Sequence, residues 1–242
     1  MFKYLNFKTM PNSRFDFTKD LDRGGRFDFT KDDGEIYSKI QVELTWKCGP
    51  DKDLDACAFL LGEDGIILRD EDFIYFKSNS RWMPKLPLTD PNCDVTDGDF
   101  EPFDMKKHKN RPRWRKMTIP VSADGSVLGS PDDLGDDDEG EEASETMHVL
   151  IDKISDEIQE IVFCIAIASP GVTFNQVQDP AVLITDVETG NVLCRYNLKN
   201  DFGSKTAVEV GKILRDEDGV WQFEAIAEGH DGGIATLADI YA

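Results

Sequence analysis

The sequence predicts an all-β protein: a β-sandwich of two mostly antiparallel sheets with long acidic loops and little helix. Three observations carry this. Apolar and polar residues alternate over short runs, as in Ile40-Gln41-Val42-Glu43-Leu44-Thr45-Trp46, the period of a strand with one buried face. Turn-forming clusters separate the runs, with Glu188-Thr189-Gly190-Asn191 and Asp216-Glu217-Asp218-Gly219 each set between two strand-like stretches, a hairpin signal. The strongest apolar run, Ile161 to Ala168, has the length of a strand and falls well short of the about 18 residues of a membrane span. Evenly spaced strands with turns between them indicate a sandwich. The expected organisation is a single domain over residues 1–242 with an inserted loop or hairpin at about 82–120.

In chain order, Arg14-Phe15-Asp16-Phe17-Thr18-Lys19-Asp20 recurs as Arg26-Phe27-Asp28-Phe29-Thr30-Lys31-Asp32, with Gly24-Gly25 between the copies. This reads as two short strands around a turn; two copies are too few for a repeat architecture. The alternating strand 40–46 ends in a loop holding Gly49-Pro50, and Asp53-Leu54-Asp55 then leads directly into the apolar run Ala56 to Leu61. Period-2 geometry places Asp53 and Asp55 on one side of that strand, and charges at the mouth of a core strand need a partner. Glu63-Asp64-Gly65 is a turn into a strand at 66–68, and Asp70-Glu71-Asp72 introduces Phe73-Ile74-Tyr75-Phe76. Prolines 84, 87, 91, 102, 112 and 120 break any long element across 82–120. The first half of that stretch is acidic. The second is basic, with Lys106, Lys107, Lys109, Arg111, Arg113, Arg115 and Lys116, and is expected to pack against acidic surface of the same protein; the alternative is an anion or membrane-surface patch around Trp114. A strand at 146–151, a short helical turn at 154–159, the core strand 161–168 and hairpins at 181–198 and 206–227 complete the chain, with Gly229-His230-Asp231-Gly232-Gly233 read as a turn.

Charge narrows the partners. A net charge of −21 and an isoelectric point near 4.4 argue against nucleic acid, whose phosphates need basic surface, and favour cations. Met1-Phe2-Lys3-Tyr4 opens no hydrophobic signal region. Five cysteines show no framework spacing, and Cys57, Cys164 and Cys194 sit inside apolar runs, so buried, reduced thiols in a cytoplasmic protein are expected.

The most distinctive segment runs from Asp132 to Glu145, where nine of fourteen residues are carboxylates and none is basic. Two unit charges about 5 Å apart repel by roughly 3 kcal/mol at an effective dielectric near 20, so a compact arrangement of them requires a neutralising cation. Acidic runs commonly stay solvated. Here Gly135 and Gly140 permit tight backbone, the spaced carboxylates supply the hard oxygen ligands calcium takes, and strand-like sequence lies on both sides.

Taken together, several segments in order resemble the tellurium-resistance TerD family of stress proteins. They are Asp53-Leu54-Asp55-Ala56-Cys57-Ala58-Phe59-Leu60-Leu61, Asp70-Glu71-Asp72-Phe73-Ile74-Tyr75-Phe76, Asp124-Gly125-Ser126-Val127, the acidic loop, Phe174-Asn175-Gln176-Val177, Arg195-Tyr196-Asn197-Leu198, Trp221-Gln222-Phe223-Glu224-Ala225 and Gly229-His230-Asp231-Gly232-Gly233-Ile234. The resemblance spans about 26–240 apart from the insertion. It implies a β-sandwich that binds calcium through acidic loops, a role in tellurite or chemical-stress response, and no catalysis. It also implies partners among other tellurium-resistance or stress proteins, and a cytoplasmic location or one peripheral to the inner membrane face, with no transmembrane segment. The family's Asp-Leu-Asp motif carries over onto Asp53 and Asp55; Pro131-Asp132-Asp133 and Gly140-Glu141-Glu142 depart from the family's glycine-rich acidic loop. The candidate calcium ligands, in two sites, are Asp53, Asp55, Asp72, Asp132, Asp133, Leu134, Asp136, Glu141 and Glu142. Asp70 and Asp72 either serve a second site or cap a strand with charge.

A metal-dependent phosphoester or nucleotide hydrolase is the alternative, since clustered carboxylates also hold paired catalytic metals. The sequence has no phosphate-cradling loop ending in Lys-Ser/Thr, no His-Glu-x-x-His and no Gly-x-Ser-x-Gly, and its three histidines are scattered.

Overall fold

The computed structural model describes residues 18–49, 52–84, 100–108, 111–130, 143–198 and 202–242. Fifteen strands are named along it: β1 (Lys19–Leu21), β2 (Arg26–Asp28), β3 (Lys39–Lys47), β4 (Leu54–Leu61), β5 (Phe73–Ile74), β6 (Ser80–Pro84), β7 (Phe100–Asp104), β8 (Ile119–Pro120), β9 (Val127–Gly129), β10 (Ala143–Leu150), β11 (Glu160–Ile167), β12 (Gln178–Asp186), β13 (Val192–Asn197), β14 (Ala207–Arg215) and β15 (Trp221–His230). Two helices, α1 (Arg111–Arg115) and α2 (Gly233–Tyr241), accompany them. Six strands form the first sheet, in the order β1-β13-β12-β3-β10-β9, and six the second, β2-β15-β14-β11-β4-β5. Every pairing within them is antiparallel except β1 with β13. The sandwich expected from the sequence is the fold.

The core lies between the two sheets. Val42, Leu44, Val149 and Val182 of the first meet Ala58, Leu60, Phe163 and Val210 of the second, all fully buried, and each large side chain there contributes about 1.5–3 kcal/mol of burial. Alternation explains β3 from Lys39 to Leu44, whose inward positions are buried and outward ones partly exposed. In β4 all eight residues are buried, because its outer face is covered too. Cys57, Phe59 and Leu61 point away from the inter-sheet core and pack with Val162 and Cys164 of β11 beneath Leu237 of α2. That double cover is the reason β4 and β11 read as unbroken apolar runs.

The two short strands expected around the Gly24-Gly25 turn are β1 and β2, and they belong to different sheets: β1 joins β13 in the first, β2 joins β15 in the second, and the turn crosses between them, anchored by the Gly24 N–H on the Ala225 carbonyl at 2.8 Å. Three expectations need correction. Residues 66–68 contribute only a single bridge, Leu61 to Ile67. The helical turn falls at Ile151–Lys153, earlier than 154–159. Residues 229–233 are the end of β15 running into α2.

Between β5 and β9 the chain builds a third, small sheet in the order β7-β6-β8. It packs on the outer face of the first sheet through Phe100, Ile119 and Val121 against Leu128 and Leu150. Arg81 is its keystone. The side chain is fully buried, and its guanidinium donates to Thr118 Oγ1 (2.6 Å), the Thr118 carbonyl (2.7 Å), the Arg115 carbonyl (3.1 Å) and the Phe76 carbonyl (3.2 Å). A planar fork that satisfies four acceptors fixes the insertion in one orientation. Beyond it, Phe103 stacks on His108 and Trp114 packs tilted against both, with centroids 4.2–5.2 Å apart. The basic half was expected to lie on the protein's own acidic surface; among the described residues its ion pair is the local one of Lys107 with Asp104 at 3.2 Å.

Candidate functional site

Asp53 and Asp55 stand at the start of β4, at one end of the sandwich. The Asp53 carbonyl accepts the Ala168 N–H (2.9 Å), and its own N–H donates to Ser169 Oγ (2.8 Å), so the backbone leading into the strand is fixed against the end of β11. Asp55 pairs in register with Ala166 and is buried, while Asp53 is exposed. Glu145 of β10 shares the inward-facing parity of Met147 and Val149. It reaches across the sandwich, where its Oε2 accepts the Ala56 N–H at 2.5 Å. Ala143 is paired with Trp46. The last carboxylate of the acidic run and the strand carrying Asp53 and Asp55 therefore meet. Asp132, Asp133, Leu134, Asp136, Glu141 and Glu142 lie outside the described residues.

Asp72 belongs to a different place. It precedes Phe73, which pairs with Phe59, four residues along β4 from Asp55, a separation of roughly 13 Å at strand rise. Its side chain is buried: Oδ1 accepts the Ala123 N–H at 3.4 Å, Arg69 lies 3.7 Å from Oδ2, and Oδ2 has no hydrogen-bond donor. Burial pushes its carboxyl above the usual range, opposed by the Ala123 N–H and Arg69 and assisted by the neighbouring charges of Asp124 and Glu71. The structure thus does not join Asp72 to Asp53 and Asp55.

Its neighbour Asp124 was not among the candidates. Its Oδ1 accepts from Ser122 Oγ (2.6 Å), Ser126 Oγ (2.7 Å) and the Ser126 N–H (2.9 Å), and its Oδ2 accepts the Ser155 N–H at 3.0 Å. Burial raises its carboxyl, but the hydrogen bonds from Ser122, Ser155 and Ser126 outweigh it and hold the group below the usual carboxylate range. The signal was present in Asp124-Gly125-Ser126, an Asx-turn pattern. So fully satisfied a carboxylate serves the turn.

Among the described residues no three His, Cys, Asp or Glu side chains are grouped to hold a metal. The carboxylates of Asp53, Asp55 and Glu145 offer oxygen donors, the kind a hard cation takes. Calcium takes six to eight oxygens, more than Asp53, Asp55 and Glu145 offer. Cys48, in the loop before Asp53, is half-buried, and burial pushes its thiol up; Lys52 opposes the shift and Asp53 adds to it. Such a thiol is a poor nucleophile at neutral pH. Among the described residues no helix is long and apolar enough to cross a membrane.

A family model described as the TerD domain matches residues 17–126 and again 118–241. Tellurium resistance protein TerD of Serratia marcescens is 25% identical over 209 residues, spanning 84% of this chain and 86% of that protein. General stress protein 16U of Bacillus subtilis (strain 168) is 28% identical over 212 residues, spanning 84% and 87%. The crystal structure of a homologue of telluride resistance protein TerD from Streptomyces coelicolor A3(2) has a TM-score of 0.48 at 18% identity, covering 83% of this chain and 95% of that one. With the family model matched along nearly its whole length, the chain belongs to the TerD family.

Proposed function

We propose that this protein is a calcium-binding, non-enzymatic stress-response protein of the tellurite-resistance type. In this reading calcium draws the carboxylates of 131–142 to Asp53 and Asp55, neutralises them and orders the acidic loops into a surface that a partner, such as another tellurium-resistance or stress protein, recognises. The observation that supports it is the Glu145 carboxylate on the Ala56 N–H, which ties the strand following the acidic run to the strand that carries Asp55. The relatives named for tellurium resistance and general stress support the physiological half. Calorimetric titration of the whole chain with calcium is the test. Binding to the folded state alone stabilises it by about 2.7 kcal/mol at a hundredfold excess over Kd, and Asp53→Asn with Asp55→Asn should remove most of that gain. No heat and no thermal shift at millimolar calcium would end the proposal.

The inserted sheet is a second candidate contact in the same reading. Residues 100–118 carry seven Lys or Arg against two carboxylates in a chain of net charge −21. Lys106 and Arg113 are exposed, Arg113 lies over the Trp114 ring, and Met117, whose N–H donates to the Trp114 carbonyl, is 40% exposed. This mix suits an anionic bilayer face, and peripheral attachment at the inner membrane would follow. Co-sedimentation with vesicles rich in anionic lipid should fall several-fold for Lys106→Glu/Arg113→Glu; equal binding by the variant removes the insertion from this role.

A further inference from the structure

The outer face of the second sheet holds a feature that calcium binding does not use. Cys57 and Cys164 are directly opposite each other across antiparallel β4 and β11. Neither has any exposed surface. Directly opposed residues in such a pair hold their Cβ atoms about 4.5–5.5 Å apart, and a disulfide needs about 3.5–4.5 Å. A small inward movement of two neighbouring strands would suffice.

What seals this pair is α2. Leu237 is fully buried against the cysteine cluster, with Ile234 and Tyr241 beside it. The helix is nine residues long, below the about 12–15 residues at which an isolated helix holds its own order, so its structure depends on docking. It begins after Gly232 and Gly233, whose φ values of 101° and 64° are backbone that glycine adopts freely, and its N-cap has no side-chain hydrogen bond. Its fastenings are few. The Gly232 and Gly233 N–H groups donate to Thr206 Oγ1 at 3.0 and 2.9 Å, and the Ile67 N–H donates to the Tyr241 carbonyl at 2.8 Å. The Tyr241 hydroxyl is bonded to Glu209, which His230 also contacts at 2.8 Å. A small docked element on a glycine hinge opens at lower free energy than the whole fold.

We propose that Cys57 and Cys164 are an oxidative modification site: a dithiol sealed beneath α2 that a peroxide-class oxidant converts to a cross-strand disulfide when the helix lifts. While α2 is docked, neither sulfur has exposed surface, so an oxidant in solution does not reach the pair. Once exposed, one thiolate attacks a peroxide oxygen; the O–O bond breaks, leaving a sulfenic acid, and the departing hydroxide takes the thiol proton as water. The second sulfur then attacks the sulfenic sulfur, the S–S bond forms, the S–O bond breaks, and a second water leaves with the remaining thiol proton. Two thiols and one peroxide give one disulfide and two waters.

Peptide mapping of the intact chain tests this. The reduced protein is exposed to hydrogen peroxide in native buffer, its free thiols are capped, and it is digested without reductant. The expected product is a 57–164 cross-linked peptide lighter by two hydrogens and abolished by dithiothreitol. Leu237→Ala should speed its formation roughly tenfold or more, because opening precedes reaction, and Cys57→Ser should leave Cys164 as a sulfenic acid that dimedone traps. The wild-type map decides the site even if a variant folds poorly. A pair that stays reduced while Cys48 oxidises, or that is capped singly without cross-linking, overturns the site. A cross-link formed at equal rates in wild type and a folded Leu237→Ala overturns the gating by α2.

Discussion

His148 should make the protein acid-sensitive by an amount that follows from its surroundings. It sits on β10 opposite Leu128 and shares the outer face with Leu150, the two residues that receive Phe100 and Ile119 of the inserted sheet. It is buried, and desolvation lowers its pKa from the ordinary 6.5 to about 4. The unfolded chain takes up this proton near pH 6.5 while the native one refuses it until about pH 4, so in that window the unfolded state holds more protons and stability drops as the pH is lowered. The resulting loss is about 2 kcal/mol between pH 7 and pH 5 and about 3 kcal/mol by pH 4, levelling below that. Urea unfolding at pH 7, 6 and 5, analysed with one shared slope, measures it. His148→Gln cannot titrate, while the carboxylates remain common to both proteins, so the variant should lose about 2 kcal/mol less than wild type over that range. Parallel declines of the two would refute the assignment.

Arg81→Lys keeps the charge but loses the fork that holds Thr118, Arg115 and Phe76. A cost on the order of 3 kcal/mol should lower Tm by roughly 6–12 °C for a domain of this size, and an unchanged melting curve would contradict the keystone role. Asp72→Asn removes a buried charge whose pKa is raised by desolvation. Without calcium it should leave Tm unchanged or higher, and a loss of calcium-induced stabilisation in the same variant would assign Asp72 to a second ion site instead of to the strand cap.

Legibility in the sequence followed how local each cause was. The β12–β13 and β14–β15 hairpins were readable because their turn residues and alternation lie within one stretch of chain. The turn at Gly24-Gly25 was readable for the same reason, but the partners of β1 and β2 were not: Lys19 faces Cys194 and Phe27 faces Phe223, choices made by distant residues. The nine-residue α2 escaped notice because two glycines precede it and its order comes from docking on Leu237. At the site, the position of Asp53 and Asp55 at the mouth of a core strand was readable because the apolar run follows them directly. The Glu145 contact and the separation of Asp72 needed the packing of one sheet on the other.

The crossing at Gly24-Gly25 has a further consequence. Since β1 is the outermost strand of the first sheet and β2 of the second, one short segment hems both open borders on that flank. Each is three residues long and carries charge, with Lys19 and Asp20 on one and Arg26 and Asp28 on the other. Short, charged borders give a stray strand little to grip, so the same residues that lace the two layers together also guard a crowded population of this protein against fusing border to border.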